Sequence, residues 1–164
     1  MLAELLPAEI FAYFMVFVRI GATLMVMPGF GEIYIATNVR LAIAIFLSLA
    51  IAPAVLANIP AMPAAPLSLL LLVLGEVLIG VLIGAVGRFL VSALHVSGTV
   101  IAFQSSLAFA LTMDPAQGLQ GALIASLFTL LGLALIFATD LHLVMIRAMY
   151  DSYELFVPGE VPLS

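Results

Sequence analysis

Long runs of apolar residues follow one another along almost the whole chain, and this pattern leaves few folds open. A helix needs about 20 apolar residues to cross the hydrocarbon core of a membrane. Runs that approach or reach this length cover residues 10–27, 41–57, 67–87, 89–111 and 119–139, and a shorter one covers 141–157. We therefore predict an all-α membrane protein of about six hydrophobic helical segments, some broken or kinked, in one domain over residues 1–164 without an internal repeat.

The composition supports this class and excludes others. Apolar residues make up 66% of the 164 positions and charged residues 8%, against about half and a quarter in soluble domains. Four arginines, no lysine and nine acidic residues give a net charge of −5, so no basic cluster is available for nucleic acid. Glu4 and Glu9 stand where a cleavable signal peptide carries basic residues, and the first apolar run is expected to be retained.

One charged residue interrupts the first apolar run near its middle. An unpaired charge there costs about 3 kcal/mol on insertion scales, so Arg19 is expected to have a partner or to lie at a kink. The sequence alone does not identify that partner.

A stripe of charged and small residues marks the third run. Glu76, Gly80, Gly84 and Arg88 recur every four residues and share one face of a helix. The two glycines form a GxxxG pattern that favours a close neighbouring backbone. Twelve residues of helix span roughly 18 Å, so the two charges cannot pair with each other. Arg19, Arg40 and Asp114 are the candidate partners within the chain, and simple snorkelling at a helix end is the alternative for Arg88.

The fourth run is more polar, with His95, Thr99, Ala102 and Ser106 on one face. These side chains favour hydrogen bonds to a neighbouring helix, or else an aqueous path. No nucleophile and base accompany His95, and no second ligand stands at metal-binding spacing. We therefore expect a structural histidine, no enzymatic activity, no cofactor and no metal site.

The segment between the fourth and fifth runs, residues 107–120, is apolar yet broken. Asp114, Pro115 and Gln117 fit a helix N-cap, a first helical position and a capping-box partner. The simplest interpretation of Asp114 is therefore the start of a helix.

Three blocks of sequence resemble the FliR/SctT family of export-gate subunits in flagella and injectisomes. The first contains Arg19-Ile20-Gly21-Ala22 and Met27-Pro28-Gly29-Phe30-Gly31. The second and most specific runs from Gly75-Glu76 through Gly84, Arg88 and Gln104 to Asp114-Pro115. In the third, Asp140-Leu141-His142 and Ser152-Tyr153 differ from the residues of the family's motif. The family usually continues with a further helical hairpin that this sequence does not include.

The resemblance implies a non-enzymatic subunit that forms, with P-type and Q-type subunits (the FliP and FliQ families), a pore for unfolded secreted proteins. It also implies contacts with lipid and with the FlhB and FlhA families, in the bacterial inner membrane at the flagellar basal body. The loop 107–120 would project inward as a pore plug. Its carried-over plug and gating residues are Phe109, Leu111, Met113, Asp114 and Gly118, and the expected subunit or helix interface comprises Arg19, Glu76, Gly80, Gly84 and Arg88.

Two other function classes compete with this interpretation. A small multi-pass transporter or channel would also have broken helices and isolated membrane charges, but it predicts an inverted repeat that the sequence lacks. An intramembrane enzyme would require a catalytic constellation that His95, Asp114 and the serines do not form by spacing.

Overall fold

The structure is a computed structural model that describes residues 2–105 and 120–159, with side chains described over 9–105 and 123–159. The helices are α1 (Leu2–Val26), α2 (Thr37–Val55), α3 (Pro66–Gln104), α4 (Gln120–Ala138) and α5 (Leu141–Leu155), with a short 3₁₀ turn at Leu56–Asn58. All regular structure in these ranges is helical, which confirms the predicted all-α class.

The third apolar run and residues 89–104 of the fourth lie on one continuous helix, α3, of 39 residues. Its sequence after Pro66 has no further proline, so every residue beyond the first turn can donate its backbone N–H within the helix. Gly80, Gly84 and Gly98 lower helix propensity without stopping it. A helix of this length has a contour of about 58 Å.

Residues Met1–Ala85 and Val144–Ser164 form one compact unit, and Val86–Leu143 form a second. In the first unit, Val16, Ile20, Leu24 and Met27 are at most 1% exposed. A spacing of four residues places Val16, Ile20 and Leu24 along one face of α1, and Met27 follows directly after its end. They pack with residues of α2 and with two residues of α5; the cluster also contains Ala44, Ile51, Ala52, Val55, Met149 and Tyr153.

In the second unit, the later half of α3 packs closely on α4. A Cβ atom added at Gly98 would lie 2.8 Å from the Cα atom of Ala125. Val91, Leu133 and Ile136 form a small apolar cluster of these two helices. The absence of a side chain at Gly98 therefore lets the two helix backbones approach.

Within the described ranges, three helices are long and apolar enough to cross a membrane, or four if α4 and α5 together count as one broken span. The three are Glu9–Val26 in α1, Thr37–Asn58 and Pro66–Gln104. Much of their surface is apolar and exposed. Such a surface requires lipid or apolar protein around it.

The break between α4 and α5 occurs at Asp140, which has a left-handed φ of 57°. This conformation costs an L-residue with a Cβ atom about 1 kcal/mol, and asparagine and aspartate tolerate it better than most.

Asp140→Gly is expected to raise the free energy of unfolding by about 0.5 kcal/mol, because relief of strain exceeds the added chain entropy. Asp140→Val should lower it. Denaturant unfolding in detergent, followed by circular dichroism, measures both; equal stability of the two variants would contradict the expectation.

Candidate functional site

A buried ion pair lies at the centre of the first unit, between α1 and α3. Arg19 and Glu76 are 1% and 2% exposed. Arg19 Nε donates to Glu76 Oε2 at 2.6 Å, and Arg19 Nη2 donates to Glu76 Oε1 at 2.9 Å. This bidentate geometry is the strongest pairing that arginine makes with a carboxylate. The structure thus brings together two of the charges that the sequence left without an assigned partner.

The remaining N–H groups of Arg19 are directed at the end of α5. Nη1 donates to the Ser152 carbonyl oxygen at 3.1 Å and to Ser152 Oγ at 3.3 Å. Nη2 donates to the Phe156 carbonyl oxygen at 3.0 Å. A guanidinium has five N–H donors, and here five acceptor atoms surround it. The buried charge is therefore fully hydrogen-bonded, as burial of an ion requires.

An aromatic ring completes the surroundings of the guanidinium. Arg19 Cζ lies 4.1 Å from the ring centroid of Tyr153, which is itself 1% exposed. The Tyr153 hydroxyl donates to the Val16 carbonyl oxygen at 3.4 Å. A cation over a desolvated ring gains about 2 kcal/mol. We call Arg19, Glu76, Ser152, Tyr153 and the Phe156 carbonyl the arginine cluster.

Two glycines of α3 allow α1 to come close enough for this pairing. A Cβ atom at Gly80 would collide with the Arg19 carbonyl oxygen and lie 2.9 Å from Ala22 Cβ. A Cβ atom at Gly84 would lie 2.7 Å from the Thr23 carbonyl oxygen. The close neighbour expected from the GxxxG pattern is the backbone of α1 in the same chain, and the pattern lies directly beside Glu76.

Arg40, another candidate partner for Glu76, lies elsewhere. Its Nη2 donates to the Glu32 carbonyl oxygen at 2.8 Å and to the Ile35 carbonyl oxygen at 3.5 Å. Arg40 thereby holds the loop between α1 and α2. The tip of this loop exposes Ile33, 99% accessible, and Tyr34.

In the second unit, His95 contacts α4. Its Nδ1 lies 3.2 Å from Thr129 Oγ1. The Thr129 hydroxyl also donates to the Ala125 carbonyl oxygen at 2.9 Å, so it accepts from the histidine ring. This is the hydrogen bond between helices that the polar face of the fourth run favoured, and it gives His95 a structural role.

The other predicted site residues have different positions. Arg88 lies exposed on α3 in the second unit. The proposed plug and gating residues, Phe109, Leu111, Met113, Asp114 and Gly118, lie outside the described residues. In the part of the chain that is described, no group of three or more His, Cys, Asp or Glu side chains could hold a metal ion.

Three members of the arginine cluster could not be assigned from the sequence. Ser152 and Tyr153 were noted only as differences from the family's third block, and neither they nor Phe156 was expected to contact Arg19. Two of the five acceptors are backbone carbonyl oxygens, which every residue carries and which leave no mark in a sequence. The amphipathic spacing of Met149, Ser152 and Tyr153 on α5 was the available signal for the buried face.

Comparisons with known proteins relate the chain to several flagellar proteins. The flagellar biosynthetic protein FliR of Caulobacter vibrioides is 36% identical over 148 residues, which are 90% of this chain and 59% of that protein. The protein of that name from Escherichia coli is 30% identical over 152 residues, 93% of this chain and 58% of the relative. For Bacillus subtilis the identity is 26%, over 87% of this chain and 54% of the relative. The chain thus spans less than two thirds of these relatives.

The family match extends over nearly the whole chain. Residues 10–164 match the family described as bacterial export proteins, family 1. The matched range includes both charges of the buried pair and both glycines of the GxxxG pattern. The chain therefore belongs to family 1 of the bacterial export proteins, together with the FliR proteins of flagella.

Proposed function

We propose that this chain is a non-enzymatic subunit of the flagellar protein export gate in the bacterial inner membrane. It forms, with P-type and Q-type subunits, a pore through which unfolded substrate proteins pass. The observation that carries the proposal is the family match over residues 10–164, with several relatives named as flagellar biosynthetic proteins. Contacts with FlhB-type and FlhA-type proteins of the basal body belong to the same proposal.

The exposed surface of α3 supports an assembly of several subunits. Exposed apolar side chains occur on its part in each compact unit, including Leu67 and Leu70 in the first and Phe103 in the second. Such surfaces require lipid or apolar protein around them. Apolar helices of partner subunits would provide that covering.

The loop 107–120 is proposed as the plug of this pore. Its apolar residues Phe109, Leu111 and Met113 would close the path by excluding water, and Gly118 would let the loop move. An apolar constriction seals against ions and can still part for chains of varied sequence, because it binds none of them tightly. Asp114 can cap the following helix while the loop closes the pore.

For the proposed interfaces, burial separates two groups of residues. Arg19, Glu76, Gly80 and Gly84 lie where α1 meets α3 within the chain. Their proposed role is to hold α1 against α3 and thereby to fix the surface of the chain that partner subunits contact. Arg88 is exposed on α3 and is the residue we propose for a contact between subunits.

Co-purification from detergent extracts tests the assembly. A tagged chain expressed with P-type and Q-type subunits should recover both, whereas a solute transporter or channel acting alone should recover neither.

Arg88→Met should lower the recovery of both partners, because it removes a charge from a surface proposed to face protein. Arg147→Met is the matched control, since Arg147 is also exposed and pairs with Asp151 of its own helix at 3.6 Å. Absence of both partners from the unmodified chain would contradict the proposal.

A further inference from the structure

The arginine cluster also contacts the C-terminal end of α5. The last carbonyl groups of a helix have no partner within it and carry partial negative charge. The Ser152 carbonyl oxygen accepts from the Phe156 N–H at 2.9 Å and also from Arg19 Nη1 at 3.1 Å. The Phe156 carbonyl oxygen accepts from Arg19 Nη2 at 3.0 Å. A side chain of α1 thus caps the C-terminal end of α5.

Residues 156–159, which follow α5, are docked within the first unit. Pro158 is buried, and Gly159 has a left-handed φ of 86°. A Cβ atom at Gly159 would lie 3.7 Å from Pro60 Cβ and 3.9 Å from Leu72 Cδ1. Residues 156–159 therefore turn back onto the segment between α2 and α3.

We infer that Arg19 is a positioning residue, which Glu76 orients and which fixes the end of α5 and directs residues 156–159 onto Pro60. The carboxylate holds one edge of the guanidinium through Nε and Nη2. The remaining N–H groups are thereby aimed at α5, where all three find acceptors on Ser152 and Phe156. This role is independent of the proposed export function, because it concerns only contacts within the chain.

The geometry distinguishes this role from that of a simple ion pair. Lysine keeps the charge, but it cannot present a planar fork to a carboxylate and donate to α5 from the opposite edge. Exchange of the charges by Arg19→Glu with Glu76→Arg also keeps an ion pair. A carboxylate at position 19, however, accepts hydrogen bonds only and would face the negative end of the α5 dipole.

A disulfide between positions 60 and 159 measures the docking directly. The chain contains no cysteine, so Pro60→Cys with Gly159→Cys introduces a single pair. The Cβ separation of 3.7 Å falls within the range of about 3.5–4.5 Å found in disulfides. Cysteine at position 159 must adopt the left-handed φ of 86°, which strains a residue with a Cβ atom. Rates are therefore compared between variants that all carry this cysteine pair. In the purified full chain, mild oxidation should cross-link the pair. Arg19→Lys and the charge exchange should each slow the cross-linking roughly tenfold, since each removes charge-assisted hydrogen bonds to α5. Arg147→Lys, the matched control, should not.

Helix content and elution volume in detergent separate loss of docking from loss of folding. If Arg19→Lys does not fold, Glu76→Gln serves instead, because the amide keeps the shape of the side chain but no longer holds the guanidinium by charge. It should slow the cross-linking severalfold. Unchanged cross-linking in the folded variant, or full recovery in the charge exchange, would overturn the inference.

Discussion

Replacing Arg19 by methionine is expected to lower the free energy of unfolding by about 3–5 kcal/mol, the cost of leaving one member of a buried ion pair alone. Glu76 would remain 2% exposed with the donors of its bidentate contact removed. The end of α5 would also lose its cap at the Ser152 and Phe156 carbonyl groups. Because whole domains are stable by only about 5–15 kcal/mol, the variant should be recovered in much lower amount.

Two further variants establish the cause. Arg19→Met combined with Glu76→Met should recover much of the loss, since apolar residues of similar volume can replace a buried ion pair at little net cost. Arg147→Met should change stability by at most about 0.5 kcal/mol, because its pair with Asp151 is exposed. Denaturant unfolding in detergent measures all three variants. If the single and double variants were equally unstable, packing rather than charge would explain the effect.

Adding one methyl group at Gly80 is expected to lower the free energy of unfolding by about 1–3 kcal/mol, the usual cost of overpacking. The new Cβ atom would meet the Arg19 carbonyl oxygen and Ala22 Cβ. Neither atom can rotate away, so α1 and α3 must separate, and the contact of Arg19 with Glu76 lengthens with them.

Gly21 provides the matched control for Gly80, because it lies in α1 and a Cβ atom there would meet no atom within 4 Å. Gly21→Ala should raise stability by about 0.5–1 kcal/mol through helix propensity alone. The two substitutions thus have opposite expected signs for the same chemical change. A stabilising effect of Gly80→Ala would show that α1 and α3 lie farther apart at this position than they do in the structure.

The all-α class followed from the sequence because long apolar runs and proline breaks depend only on local order along the chain. The continuity of α3 did not follow from the sequence, because two apolar runs can join into one helix wherever no residue stops it. Around Gly87 and Arg88 no proline intervenes.

The site was predictable to the extent that charges and glycines are conspicuous in apolar sequence. Arg19 and Glu76 were expected to need partners, and Gly80 and Gly84 a close neighbour. Their mutual contact was not predictable, because 57 residues separate the two charges along the chain and Arg40 was an equal candidate. Packing in three dimensions decides between such candidates, and the backbone carbonyl groups of α5 give no signal in sequence.

The proposal that residues 107–120 line the export path is tested most directly by site-specific photo-cross-linking in assembled gates holding a stalled substrate. A photoreactive residue at Leu111 should form adducts with the substrate chain. The same probe at Phe46, 72% exposed on α2, should react with lipid or partner subunits instead. Substrate adducts at position 111 with none at position 46 are the predicted result. Substrate adducts at neither position, while the substrate occupies the gate, would contradict the proposed plug.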